Sequence, residues 1–293
     1  MEKVRRLNLG IVVLAVVVSA ATAYASVVWL LQSQFVKTVQ SASFGFVNGT
    51  LIANVLQMVV VIGFILMYLG KARFMEIGLM RHQFVPALLF TVLTWIAFQF
   101  AMIIFHVLVG NPILIRPEYQ TAAAAMPHIG VLISQLFGNA LFEECLFRGV
   151  LLVQLVIWFC PRQTEPDAEL QAVSPSQRRS GVAVAWILSQ FVFSLQHIPH
   201  RLRNGSQMSS NLLMELVILF LIGLVFASIF WRTKNLMLVV GFHALANAPT
   251  CLFIGPEWLP ALVLTPVAIL CLLLGPKWQR VGQHKANSTG ESR

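Results

Sequence analysis

Between His128 and Pro161 the only formal charges are Glu143, Glu144 and Arg148, in the stretch NALFEECLFRGV at 139–150. The rest of that run reads as hydrocarbon. One Glu or Arg at a bilayer centre costs on the order of 2.5–3.5 kcal/mol, so three facing lipid would cost roughly 8–10 kcal/mol. They must face other helices, a wet cavity or one another. Helical spacing divides them. Glu144 and Arg148 stand at i,i+4, acid first, the arrangement in which the two meet on one face. Glu143 points about 100° away from Glu144, on the stripe of Gln135 and Asn139. The pair neutralises itself and leaves Glu143 as a spare acid.

Two later apolar runs carry polar groups that could use it. WILSQFVFSLQH ends in His197, with Phe193 one turn earlier, and GFHALAN carries His243 and Asn247 at i,i+4, on one helix face. Each has a bland explanation alone: a helix–helix hydrogen bond for His197, packing glue for Asn247, a structural ion pair for Glu144 and Arg148. Together they match the needs of peptide hydrolysis. A Glu beside a His can deprotonate water when burial lifts the carboxylate pKa towards working pH. A second His and a carboxamide can donate to a developing oxyanion. No Ser or Cys nucleophile is needed. Cys145 is a poor candidate, because an acid neighbour raises a thiol pKa.

These motifs resemble those of the CAAX prenyl endopeptidase and bacteriocin-processing family (CPBP, also called Abi) of intramembrane glutamic endopeptidases. The family pattern is present in order: EExxxR as Glu143-Glu144-Cys145-Leu146-Phe147-Arg148, FxxxH as Phe193 to His197, and HxxxN as His243 to Asn247. The resemblance covers about 128–253, and KARFMEIGLMR (71–81) is similar to a basic turn found upstream in many members. It implies Glu143 as the water-activating acid and His197 as its partner. His243 and Asn247 would form the oxyanion hole, Glu144–Arg148 would fix the helix and its charge, and Phe193 would pack around the site. The implied partner is a peptide or membrane-protein substrate, and no cofactor is implied.

Three other readings use the same residues. Two His and a Glu form a known catalytic zinc set, which Glu143, His197 and His243 could supply, although no HExxH is present. Intramembrane Glu, Arg and His also mark ion-coupled transporters, where Glu215 would be recruited if it did not lie so near a span start. A non-catalytic membrane scaffold would keep the charged trio as a structural lock.

The elements that must position these residues are membrane helices. The chain has 293 residues, 58% of them hydrophobic and 11% charged, where soluble domains carry about a quarter charged. Apolar runs at 8–32, 50–70, 84–108, 129–159, 181–198, 211–231, 235–253 and 259–275 predict an all-α bundle of eight spans. The first is long enough to read as an uncleaved span despite its Ala-Tyr-Ala. The whole chain reads as a single membrane domain, 1–293, with its core at about 128–253 preceded by three spans and followed by one.

Fifteen of the 20 Lys and Arg fall in segments that eight spans place with both termini; Lys37, Arg116, Arg201 and Arg203 fall in the opposite loops. That bias predicts cytoplasmic termini in a cell membrane, with the bacterial cytoplasmic membrane as the expected home. It also explains the net charge of +9 without nucleic acid; the lipid is the partner of these residues. The linker Pro161–Ser180 divides four spans from four. Four scattered cysteines predict neither a disulfide framework nor a thiolate site. His106 and His128 read as interfacial, His200 as a helix exit, and Gly149 as a point of close helix approach.

Overall fold

The computed structural model describes residues 4–160, 175–203 and 210–288. Its regular elements are helical: α1 Leu9–Val28, α2 Gln34–Ala42, α3 Gly49–Leu69, α4 Arg81–Val109, α5 122–159, α6 Pro175–Leu195, α7 Ile198–Arg203, α8 Ser210–Thr233, α9 Leu236–Asn247 and α10 Leu259–Ser288. Four helical stretches are long and apolar enough to cross a membrane: Leu9–Gln32, Gly49–Leu69, Phe74–Val109 and Asn211–Thr233. Arg179–Leu195, Leu236–Asn247 and Leu259–Gly275 are shorter apolar helices. Residues 161–174 of the expected linker lie outside the described residues.

Local chemistry sets the boundaries. Asn8, Thr121 and Asn235 cap α1, α5 and α9, each side chain accepting a backbone N–H of the first turn, which satisfies an otherwise orphaned donor. Gly110, at φ 73°, ends α4 in the left-handed region open to glycine.

Two of the expected spans need correction. The run at 235–253 forms a helix of only 12 residues, about 18 Å long, where about 20 residues are needed to span. Pro249 disfavours helical backbone at Ala248, which leaves α9 at ψ 75°. The run at 181–198 ends its helix at Leu195, so His197 lies in the turn that enters α7, and His200 falls inside α7. Within α5, wide π-type turns occupy Gln135–Asn139 and Glu144–Leu152, with the Ala140 N–H reaching the Gln135 carbonyl five residues back. Such turns are frequent at functional sites.

The chain divides into two compact units. The first comprises Met1–Ser33, Ala53–Met80 and Phe142–Ala227. Here Gln57 of α3 donates to the Ser19 carbonyl and the Thr22 hydroxyl of α1. Gln154 accepts from the Leu7 N–H at 2.8 Å and donates to the Arg5 carbonyl at 3.0 Å, tying residues 5–7 to α5. The expected basic turn is present: Glu76, 2% exposed, takes the Arg73 N–H at 2.9 Å and lies 3.7 Å from Arg5 Nε.

The second unit comprises Gln34–Ile52, Arg81–Leu141 and Ser228–Arg293. Its centre is α4 against α9. A Cβ at Gly241 would collide with the Thr91 hydroxyl, so glycine is what lets the two backbones meet. Three polar side chains of α4 bond the later chain. Gln83 donates to the Lys234 carbonyl at 2.6 Å, Trp95 to the Thr250 carbonyl at 3.2 Å, and Gln99 accepts the Leu252 N–H at 2.8 Å. Residues 248–258, past α9, also bond the loop after α4. The Arg116 N–H reaches the Leu252 carbonyl, the Ile254 N–H reaches that of Leu114, and Ile115 bridges Phe253.

Gly241→Val should therefore lower stability by about 3 kcal/mol, the upper range for forcing bulk into a packed contact. Thermal unfolding in detergent measures it. A wild-type melting temperature would show that α9 does not rest on Thr91.

Candidate active site

In the first unit the charged trio splits as its spacing implies. Glu144 and Arg148 are both 0% exposed, with Nη1 donating to Oε1 at 3.1 Å. Burial of such a pair is favourable only when its remaining groups are also satisfied. Arg148 Nη2 reaches the Gly223 carbonyl of α8 at 3.4 Å. The guanidinium carbon lies 4.1 Å from the centroid of Phe193 and 5.6 Å from that of Phe226, a geometry in which the ring faces attract the cation. Gly223 is the enabling residue. A Cβ there would lie 2.8 Å from Gln190 Oε1 and 3.4 Å from Arg148 Nη2.

Phe193 connects this buried pair to the accessible one. Its ring packs edge-on against Phe147 at 5.3 Å and against His197 at 4.8 Å. Its carbonyl lies 2.9 Å from His197 Nδ1. A carbonyl only accepts, so Nδ1 carries the proton and the neutral ring keeps its lone pair on Nε2. That Nε2 lies 3.7 Å from Glu143 Oε1, with the two side chains 21% and 13% exposed. The spacing exceeds a direct hydrogen bond and suits a shared water. Glu144 and Arg148 are thus sealed and mutually neutral, whereas the side chains of Glu143 and His197 keep partial exposure, 13% and 21%.

The second unit carries the other two sequence candidates on α9. His243 is 4% exposed. One turn later the exposed Asn247 donates from Nδ2 to Gln135 Oε1 at 3.0 Å, and Asn139 donates to the same oxygen at 3.3 Å. An amide nitrogen has two donors, so this bond orients the Asn247 carboxamide and leaves its second N–H for another acceptor. Ala140, Val240 and Ala244 form the small-residue contact that brings α9 close to 136–141.

Gln135, read in the sequence only as a stripe-mate, holds Asn247. Gly223 and Phe226 had no sequence signal beyond a glycine and an aromatic in an apolar run. His106, expected at an interface, is buried and bonds the Ile254 carbonyl. Glu215 lies 3.4 Å from Arg201, within the first unit, which fits its place near a span start. The four cysteines are unbridged. Among the described residues no three His, Cys, Asp or Glu side chains are grouped to hold a metal ion.

Arg148→Lys removes the fork that serves Glu144 and Gly223 together and the plane that stacks on Phe193. Breaking a buried pair typically costs about 3–5 kcal/mol. Because a lysine retains the charge but not the geometry, the loss should approach that range in thermal unfolding. Near-wild-type stability would mean that the guanidinium geometry is dispensable.

Residues 125–249 match the family described as type II CAAX prenyl endopeptidase Rce1-like. No curated protein and no solved structure matches the chain.

Proposed function

We infer that this chain, whose residues 125–249 match the Rce1-like family, is an intramembrane endopeptidase that cleaves a peptide or membrane-protein substrate with Glu143-activated water. The observation that carries this reading is the Glu143–His197 pair, 3.7 Å apart and partly exposed, beside an acid–base pair sealed at 0% exposure. One carboxylate is stripped of chemistry by its arginine, and its neighbour is left to act.

A water between Glu143 and His197 Nε2 would give its proton to the carboxylate as its oxygen attacks the scissile carbonyl carbon. The tetrahedral oxyanion would be held by His243 and by the second Asn247 N–H. Glu143 would then pass the proton to the leaving amine as the C–N bond breaks. Glu144–Arg148 and Phe193 would act through position: the pair fixes the helix turn that presents Glu143, and Phe193 fixes the imidazole tautomer. No cofactor is required in this scheme. In this reading the chain lies in a bacterial cytoplasmic membrane with both termini in the cytoplasm, and four of its helices are long and apolar enough to cross.

Membrane-peptide terminomics on cells expressing wild type or Glu143→Ala at matched levels tests the reading. New peptide termini should appear with wild type and vanish with the variant, which would also name the substrate. Identical termini from two folded, equally abundant proteins would sink it in favour of a scaffold or transporter. On a cleaved reporter peptide, Glu143→Gln should lose about 10²–10⁴-fold in rate, the range for a general base. Asn247→Ala should lose about 10²–10³-fold, the range for one oxyanion donor. A chelator should leave the wild-type rate unchanged; its loss on chelation and return with Zn²⁺ would assign Glu143, His197 and His243 to a metal.

A further inference from the structure

Within the second unit a cavity of about 350 Å³ lies outside the set of residues assigned to catalysis. Its walls are Arg116, Glu118 and Tyr119 of the loop after α4, His128 of α5, and residues of the non-helical segment past α9 from Ala248 to Glu257. We propose that this cavity is a subsite for a cationic side chain, Lys or Arg, of the peptide substrate. The proposal rests on the proteolytic reading, because it names what that substrate carries.

Position is the first argument. Ala248, in the cavity wall, directly follows Asn247, and Val131, also in the wall, stands one turn before Gln135 on α5. Asn247 is hydrogen-bonded to Gln135, so the cavity begins beside the carboxamide proposed to hold the oxyanion. A substrate backbone held at Asn247 has a side-chain pocket beside it.

Charge is the second. The walls hold two carboxylates, Glu118 and Glu257, against one guanidinium. Arg116 Nε donates to the Phe253 carbonyl at 3.1 Å. Glu118 Oε2 is buried and has no hydrogen-bond partner among the described residues. An unsatisfied buried carboxylate oxygen is costly, and a substrate ammonium or guanidinium would satisfy it. Burial pushes the Tyr119 phenol above its usual range, so it stays neutral and can donate.

Shape is the third. Tyr119 and His128 stack at a tilt, with centroids 5.6 Å apart, and Met102, Val131 and Pro249 supply apolar wall. Aromatic faces beside carboxylates suit a long side chain with an aliphatic stem and a charged head. The volume is at the small end of ligand pockets, about 300–1,000 Å³, which fits one residue and not a lipid chain.

The test is direct binding to the purified full-length protein in nanodiscs, read by saturation-transfer NMR and calorimetry. The probes are N-acetyl-arginine amide and its uncharged analogue N-acetyl-norleucine amide at millimolar concentration. The arginine probe should bind saturably and at least about tenfold more tightly than the norleucine probe, a difference of about 1.4 kcal/mol. Glu118→Gln should weaken arginine binding about as much, and Glu257→Gln, at an exposed carboxylate with no folding role, should weaken it in the same direction. Glu143→Gln should leave it unchanged. Equal affinity for both probes, unaltered binding in both carboxylate variants, or no binding by a protein with a wild-type melting temperature each overturns the proposal. Competition by phosphocholine instead of arginine would reassign the cavity to a lipid headgroup. Binding needs no turnover, so failure here leaves the proteolytic reading standing, and failure of the terminomics leaves the pocket measurable.

Discussion

A guanidinium with no access to water organises the first unit. Arg148 carries a charge, and every neighbour that makes the charge tolerable comes from a different stretch of chain: Glu144 from its own helix, the Gly223 carbonyl and Phe226 from α8, Phe193 from α6. Satisfying it sets the distance between three helices. The same Phe193 that stacks on Arg148 also receives the imidazole of His197. The cost of a buried cation is thereby turned into the placement of a catalytic-type histidine.

The contrast between adjacent glutamates follows. They share a backbone, yet one is 0% exposed against an arginine and the other 13% exposed opposite an imidazole. Glu144 is enclosed with its guanidinium at 3.1 Å, whereas Glu143 stays partly exposed and faces the His197 imidazole at 3.7 Å. Two identical side chains meet opposite surroundings because successive helix residues point in different directions.

Much of this was legible. The i,i+4 spacing of Glu144 and Arg148 yields the ion pair, the three ordered motifs all lie inside the stretch 125–249 that matches the Rce1-like family, and the apolar runs locate the helices. What was not legible depends on where the chain returns. A run of hydrophobic residues at 235–253 has the composition of a span, but Pro249 turns it out of the helix, and a window average does not register one proline. The wide turns around Glu144–Leu152 have no composition of their own. Gly223 matters because of what Arg148 needs from α8, and Gln135 because Asn247 arrives from 112 residues away. Contacts of that kind are written in no local pattern.

The polar face of α4 also constrains the order in which the second unit can be made. Gln83, Trp95 and Gln99 bond partners at 234, 250 and 252. A chain synthesised from its N-terminus completes α4 long before those partners exist. Until α9 and the segment beyond it emerge, α4 must wait in or beside the bilayer with two amides and an indole short of these partners, a state that favours shelter by water, headgroups or insertion machinery over lipid. The last fifth of the polypeptide acts as a closing piece. Its arrival seats His243 and Asn247 and pairs the polar groups of a helix made about 150 residues earlier.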